Sequence, residues 1–242
     1  MRSIVISQSM LFPWVGLLEQ VRMADVFVHY DDVQFSKGSF VNRVQIKAPE
    51  GPRWLTVPLQ GLELGQRIDA VQLVPQAQWR ERHLVLLTRC LQGAPYLADA
   101  LALAESVYAQ EHASIGALAR ASLMALVRYF GLDIGRQFVD AAALGVGGTS
   151  SERVLAIVRN LSGTDYVTGH GAARYLDHVG FEAQGIAVRY MDYRRLPYPQ
   201  FHGAFNPHLS GLDLIAHCGR EGARYIVSNT LPWREYLHHE SQ

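Results

Sequence analysis

The chain has 242 residues, of which 49% are hydrophobic and 18% are charged, and its 22 basic and 22 acidic side chains cancel. This length and composition predict a large buried core, and the neutral balance argues against nucleic-acid binding. Two cysteines cannot build a disulfide framework, and there is neither a signal-peptide pattern nor an apolar run of about 18 residues. We therefore expect a cytoplasmic protein with no membrane partner.

The amino-terminal part of the chain predicts a β-α-β unit followed by a hairpin. Residues 3–7 (SIVIS) and the later DVFVHYD read as strands, and PWVGLLEQVRMA between them has helical spacing. The next two segments, NRVQIKAP and PRWLTVPL, are joined by Glu50-Gly51-Pro52, which favours a β-hairpin.

The remainder of the chain predicts helices and a return to β-α-β order. Residues 76–131 are rich in Ala and Leu and indicate two or three helices that cover the sheet. Thr149 and Glu152 have capping-box spacing at the start of the helix SERVLAIVRNL. DYVTG, GAARYLDHV and IAVRYMDY then predict strand, helix and strand, and a further helix follows near the end. We predict one α/β domain over 1–242: a Rossmann-like βαβ core with a β-hairpin and a helical insertion at about 76–131.

Two adjacent aspartates follow the second predicted strand. In β-α-β units the chemistry usually lies at the carboxyl ends of the strands, where this chain has Ser7-Gln8-Ser9 and Asp31-Asp32. Successive side chains of a strand face opposite sides, so only one aspartate would face a cleft and the other would be structural. Asp32 lies further beyond the strand and is the predicted general base.

The predicted hairpin region holds an unusual set of polar residues. Of the 22 basic residues only Lys37 and Lys47 are lysines, and Asn42 and Arg43 lie between them. A lysine ammonium can lose its proton, and a guanidinium can bind phosphate or carboxylate with two hydrogen bonds. We predict that Lys37 stabilises developing negative charge and that Arg43 and Lys47 hold an anionic substrate group. The alternative is a solvated hairpin surface.

Other local patterns are weaker. His170 lies in a Gly-His-Gly turn at a strand-to-helix junction, where free backbone N–H groups can bind an anion. His217 and Cys218 are adjacent on a predicted helix and diverge by about 100°, which argues against a catalytic dyad. The spacing fits no metal site, phosphate loop, dinucleotide fingerprint or serine-hydrolase motif. We predict no metal and no organic cofactor.

Several uncommon stretches resemble the WbqC-like family over about residues 3–219. They are QSMLFPWVGLLEQ, ADVFVHYDDVQFSKGSFVNRVQIK, WLTVPL, GTSSERVLAIVRNLSGTDYVTGHGAARYLD and GIAVRYMDYRRLPYPQFHGAFNPHLSGLDLI. Family members usually carry His-Gln-Pro or a similar triplet where this chain has Ser7-Gln8-Ser9, and many have Asn at the position of His217. The resemblance implies a small-molecule enzyme of a surface-polysaccharide or specialised-metabolite pathway.

The resemblance also implies a set of site residues that overlaps the one read from the sequence. Its members are Gln8, Trp14, Asp31, Asp32, Gln34, Lys37, Asn42, Arg43, Ser150, Gly169, Gly171, Tyr175, Gln200 and Asp213. With Lys47 and His170 added, we predict Asp32, Asp31 and Lys37 as catalytic. The predicted substrate-binding residues are Gln8, Trp14, Gln34, Asn42, Arg43, Lys47, Gly169, His170, Gly171, Tyr175 and Gln200.

Three functions remain open from the sequence. The first is transfer of an acyl or aminoacyl group to an amine-bearing small molecule that carries an anionic group. The second is an elimination or cyclisation of a sulfated or phosphorylated amine by the same base and cations. The third is a non-catalytic protein that binds a sugar nucleotide or assists another enzyme. A carrier protein or a small partner protein is a further candidate partner.

Overall fold

The computed structural model describes residues 1–240. Residue 240 is described by its backbone only. The strands are β1 Ser3–Ser7, β2 Val26–His29, β3 Arg43–Ala48, β4 Gly51–Thr56, β5 Leu59–Gln60, β6 Gln72–Leu73, β7 Gln137–Asp140, β8 Asp165–Thr168, β9 Ala187–Asp192 and β10 Asn229–Pro232. The helices are α1 Val15–Met23, α2 Arg80–Leu91, α3 Leu97–Tyr108, α4 Ile115–Tyr129, α5 Ser150–Asn160, α6 His178–Ala183, α7 Gly211–Cys218 and α8 Trp233–Glu240.

Six strands form one sheet in the order β10-β9-β8-β1-β2-β7. All neighbours are parallel except β10, which runs antiparallel to β9. In chain order the strands first extend from β1 towards β7 and then return to the other side of β1 with β8 and β9. The strand order therefore reverses between β1 and β8, as in doubly wound folds, and this confirms the predicted Rossmann-like core.

Helices cover both faces of the sheet, and the strand residues divide between them by alternation. Val5 and Phe27 pack into a core formed with α1, α7 and the helices of the insertion. Ile4 and Val28 pack on the opposite face with α5, α6 and α8. Each of these four side chains is fully buried. A parallel sheet that is buried on both faces explains why the first strands read as continuous apolar runs.

The predicted helical insertion consists of α2, α3 and α4. Two of these helices are followed by a glycine with a left-handed backbone, a conformation that favours glycine. Gly93 (φ 89°) lies between α2 and α3, and Gly131 (φ 67°) follows α4. Ser114 caps α4 by accepting a hydrogen bond from Ala117 N at 3.2 Å. The predicted β-hairpin is also present, with β3 and β4 antiparallel. None of the helices in the described residues is long and apolar enough to cross a bilayer.

Some local predictions were wrong or incomplete. Helix α5 begins where predicted, but Thr149 makes no side-chain cap hydrogen bond, so the capping box with Glu152 does not form. The next residue, Ser150, has a left-handed backbone (φ 50°), and the first turn therefore departs from the regular geometry that a capping box needs. Five elements had no clear sequence signal: the short pair β5 and β6, the edge strand β7, and the final β10 and α8.

Candidate functional site

The carboxyl ends of the five parallel strands form one edge of the sheet. Gln8, Asp31 and Asp32, Ala141, Gly169 and Tyr193 follow β1, β2, β7, β8 and β9 within three residues. Neighbouring strands are about 4.8 Å apart, so the polar residues at these ends share a single rim. Gln8 and Gly169 flank the reversal of strand order, which is the usual ligand crevice of such folds.

Asp31 is fully engaged by protein groups. Its carboxylate accepts hydrogen bonds from Ser9 N (2.8 Å), Ser9 Oγ (2.7 Å) and Arg120 Nη2 (3.0 Å), and it is 1% exposed. Burial raises the pKa of Asp31, and the hydrogen bonds from Ser9 and Arg120 oppose that rise. Arg120 on α4 also donates to Asp140 at 2.8 Å. We call Ser9, Asp31, Arg120 and Asp140 the carboxylate clamp, because together they tie β1, β2 and β7 to α4.

The clamp and the neighbouring His29 together contain the residue types of a hydrolase triad, but in a different order. Ser9 Oγ donates to Asp31 and lies 3.0 Å from His29 Nδ1, so the hydroxyl is the central group and accepts from the ring. A catalytic triad instead places the imidazole between the carboxylate and the hydroxyl. Burial lowers the pKa of His29 to about 4, so its ring is neutral at pH 7. Ser9 is completely buried and has a structural role.

Asp32 faces the opposite side of the sheet. It forms a close ion pair with Arg153 on α5, whose guanidinium lies 5.0 Å from the ring centroid of Tyr30. Its other oxygen, Oδ1, is buried without a hydrogen-bond partner among the described residues. The two aspartates thus diverge towards α4 and α5, in line with strand alternation. Asp32 lines neither of the two larger cavities described below.

The predicted polar residues of the hairpin mostly brace the hairpin itself. Lys47 is 5% exposed and donates hydrogen bonds to the carbonyl groups of Gly203 (3.1 Å) and Ala204. Asn42 Nδ2 donates to Val57 O at 3.0 Å. The Arg43 guanidinium lies over the Trp54 ring at 4.1 Å and donates to Gly38 O. Lys47 also lies 3.5 Å from Gln200 Oε1, so its partners are two backbone oxygens and an amide oxygen, and not an anionic group.

The other predicted residues are spread over four places. Gln34 and Lys37 are exposed between β2 and β3. Gln200 binds the backbone of Asn206 through both of its amide atoms (2.9 and 3.0 Å). The Trp14 ring packs against Tyr193 and His208 with centroid distances of 5.1 and 5.2 Å. Gly171 and Tyr175 lie on the exposed turn that follows β8, next to His170.

A cavity of about 550 Å³ opens at the ends of β8 and β9. Its lining residues are His170, Met191, Asp192, Tyr193, Arg195, Leu231, Glu235, Tyr236 and His239. His170 Nε2 lies 2.7 Å from the carbonyl oxygen of Met191. Because a carbonyl oxygen can only accept, Nε2 must carry the proton, and the neutral ring has its lone pair on Nδ1. No residue of the described chain forms a hydrogen bond with that nitrogen. We call this cavity the His170 cavity.

Tyr193 stands beside His170 in the same cavity, with 5.1 Å between the ring centroids. Its Oη accepts a hydrogen bond from Gln20 Nε2 at 2.7 Å, which leaves the phenol proton for another acceptor. Burial raises the pKa of Tyr193, so the group is a neutral donor at ordinary pH. Gly169 permits this arrangement, since a Cβ there would lie 3.2 Å from Tyr193 Oη and 3.3 Å from Gln20 Nε2.

A second cavity of about 470 Å³ lies at the other end of the edge, beside β2, β7 and α4. We call it the clamp cavity, because Asp31, Arg120 and Asp140 line it. Asp69, at its rim, is paired with Arg67. Nowhere in the described range do three or more His, Cys, Asp or Glu side chains form a group that could hold a metal ion.

Sequence reasoning found His170 but missed the residues around it. In the stretch MDYRRLP, Asp192 ends β9 and Tyr193 and Arg195 follow it, and Glu235 lies in the first turn of α8. Asp31 and Asp32 were predicted because they are polar residues at the carboxyl end of a predicted strand. The same rule also applies to Asp192 and Tyr193. Arg120 and Arg153 had no such signal, because they reach the edge from helices.

The fold and this edge define a doubly wound α/β protein with candidate ligand sites at the carboxyl ends of its strands. The chain belongs to the WbqC-like protein family, whose sequence model matches residues 8–225, and this confirms the resemblance. It is 29% identical over 228 residues to a Mycobacterium tuberculosis protein described as "Uncharacterized protein Rv1507c", covering 93% of this chain and 98% of that one. No solved structure matches. Family membership indicates a protein of a biosynthetic pathway.

Proposed function

We propose that this protein is a small-molecule biosynthetic enzyme that transfers an acyl or aminoacyl group to an amine bound in the His170 cavity. The observation that carries the proposal is the fixed tautomer of His170, whose Nε2–H is used by Met191 O so that Nδ1 is left as a proton acceptor. This gives the role of general base to His170 and not to Asp32, whose carboxylate is engaged by Arg153.

The proposed step balances with the groups in the cavity. The amine nitrogen attacks the carbonyl carbon of an activated donor such as a thioester, and the new C–N bond forms as the carbonyl electron pair moves to oxygen. His170 Nδ1 takes the proton from nitrogen, and the Tyr193 hydroxyl is placed to donate a hydrogen bond to the oxyanion. Collapse breaks the bond to the leaving group, which takes the proton back from the imidazolium. The products are an amide and a free thiol.

The size of the His170 cavity supports a small molecule as the acceptor. Its volume of about 550 Å³ lies within the range of roughly 300–1,000 Å³ that is usual for small-molecule sites. The cavity also lies at the carboxyl ends of parallel strands, where doubly wound proteins bind their ligands.

The proposal is tested by replacing the base while keeping its structural hydrogen bond. In His170→Gln the side-chain amide can still donate to Met191 O but offers no basic nitrogen. The assay incubates the protein with acyl and aminoacyl thioesters and a panel of amines, and follows amide formation by mass spectrometry. We expect His170→Gln to lower turnover at least about a hundredfold, the usual contribution of a general base.

His112→Gln is the matched control, because His112 Nε2 also lies near a carbonyl oxygen (Val107 O, 2.9 Å) but outside the cavity. This control should retain full turnover. Amide formation that survives in His170→Gln would overturn the role of the base. Release of sulfate or phosphate from one substrate without any acyl donor would favour the elimination reaction instead.

A further inference from the structure

Three charged side chains in the His170 cavity are not used by the protein. Asp192 ends β9, Glu235 lies in the first turn of α8, and Arg195 lies two residues beyond Tyr193. None of the three forms an ion pair or a side-chain hydrogen bond with a described residue. In the clamp cavity, by contrast, Arg120 bridges two carboxylates. The His170 cavity therefore presents side chains of both charge signs that no described residue pairs.

Arg195 is held in an unfavourable backbone conformation. Its φ of 49° is in the left-handed region, which a residue other than glycine adopts at a cost of order 1 kcal/mol. Strain of this kind persists where the surrounding structure imposes it, and it is concentrated at ligand sites. Its guanidinium acts on the cavity: burial raises the pKa of Tyr193 there, and the positive charge of Arg195 opposes that rise.

Aromatic rings form the wall beside these charges. The Tyr236 ring is stacked on Tyr190 at 4.3 Å and lies 4.8 Å from the ring of His170. An ammonium group is stabilised both by carboxylates and by the faces of aromatic rings. Two carboxylates against one guanidinium also give this group of three a net negative charge, which favours a ligand with a cationic end.

From this arrangement we infer that the His170 cavity binds a zwitterionic small molecule. Asp192 and Glu235 hold its primary ammonium group, and Arg195 holds an anionic group, phosphate or carboxylate, at its other end. The inference rests on the proposed function only in that the ligand, after its ammonium group has lost one proton to solvent, is then the acceptor amine of the transfer reaction. Its chemical basis is the charge pattern, and equilibrium binding tests it without any turnover.

The probes are ω-aminoalkyl phosphates with two, three or four carbon atoms between the charged groups. Binding of each is measured by isothermal titration calorimetry and compared with the parent alkylamine and with inorganic phosphate. We expect at least one zwitterion to bind about tenfold more tightly than either of its halves, since a charge-assisted hydrogen bond contributes on this scale. The spacing that binds best measures the distance between the two subsites.

Variants assign each end of the probe. In Arg195→Gln the zwitterion should bind no more tightly than the alkylamine. In the double variant Asp192→Asn with Glu235→Gln it should bind no more tightly than inorganic phosphate.

Two control variants, Arg159→Gln and Glu105→Gln, change exposed residues of the same kinds on α5 and α3, and they should leave binding unchanged. Arg195→Gly should weaken binding while the melting temperature stays the same or rises, because glycine accepts the left-handed backbone.

The inference is overturned if no zwitterion binds more tightly than its alkylamine, or if the three variants bind as the unaltered protein does. Binding also separates this inference from the proposed function. If the zwitterion binds through Arg195 but no acyl donor yields an amide, the proposed reaction fails and the recognition stands. If amides form from amines that lack an anionic group, with the same efficiency in Arg195→Gln, the reaction stands and the recognition fails.

Discussion

The two cavities at the carboxyl edge contain similar residue types but use them differently. In the clamp cavity the Arg120 guanidinium binds both Asp31 and Asp140, so each of these carboxylates has a cationic partner and the contacts hold four elements together. In the His170 cavity Asp192, Arg195 and Glu235 have no such partners among the described residues. The difference teaches that a cluster of charge at the end of a sheet indicates a site only when the protein does not satisfy it internally. The following predictions test this distinction.

The largest effect on stability should come from the clamp. Asp31→Asn removes the carboxylate from a buried pair, which typically costs about 3 kcal/mol or more of the free energy of unfolding. Asp192→Asn makes the same chemical change at an unpaired, exposed carboxylate and should stay within about 0.5 kcal/mol. Urea denaturation of the two variants measures both values. Equal losses would remove the distinction between the two cavities.

Asp32→Asn decides between the two candidate bases. If His170 is the proton acceptor, this variant should retain turnover within about tenfold once its folded fraction is matched, whereas His170→Gln loses at least about a hundredfold. The measurement is the rate of amide formation at saturating amine. A folded Asp32→Asn protein without turnover would instead confirm the role that the sequence predicted for Asp32.

Two buried histidines, His29 beside the clamp and His83 on α2, should also make stability depend on pH. Burial lowers the pKa of His29 and of His83 to about 4, from an ordinary value of 6.5. The unfolded chain then binds more protons than the native one between these values, so stability is retained above about pH 6.5 and lost as the pH falls towards 4. Each histidine should account for a loss of about 2 kcal/mol at pH 5 relative to neutral pH.

The test compares urea unfolding at pH 7 and pH 5 in the unaltered protein and in His29→Asn. Asn can keep a donor near Ser9 Oγ but does not titrate, so the difference in free energy between the two pH values should shrink by about half. An unchanged difference would show that His29 is not a source of the pH dependence.

The smallest effects should come from the hairpin. Arg43→Ala loses both the stacking on Trp54 and the hydrogen bond to Gly38, and should lower the unfolding free energy by about 1 kcal/mol. Lys37→Ala changes an exposed side chain and should stay within about 0.5 kcal/mol. A loss of turnover in Lys37→Ala with unchanged stability would restore the predicted catalytic role of Lys37. Thermal unfolding and the amide assay measure the two quantities.

The sequence predicted the architecture, which the structure confirms, whereas the predicted site residues stay predictions. Continuous apolar runs mark β1, β2 and β8 because both faces of these strands are buried, and helical periodicity marks the insertion. The edge strand β7 has only four residues, all at least partly exposed, and therefore gave no clear pattern. Thr149 shows a further limit, since a capping box depends on backbone angles that residue type does not fix.

The site depended on pairings that the sequence does not contain. Lys47 and Asp32 were selected because they are charged and close in the chain, but their partners, Ala204 and Arg153, are more than a hundred residues away. Whether a charge is available to a ligand is decided by such distant partners. His170 was found because its turn is a local feature, and the residues around it were not, because β9 and α8 bring them together.

The carboxylate clamp has a consequence for the order in which the chain folds. Arg120 is separated by 89 residues from Asp31 and by 20 from Asp140, so its two ion pairs close loops of very different length. The shorter loop costs less entropy to close, so the Arg120–Asp140 pair is expected to form before the Arg120–Asp31 pair joins α4 to the end of β2. Because β7 pairs only with β2, we expect it to join the sheet at this later step and to exchange its amide protons sooner than β1 and β8, which lie at the centre.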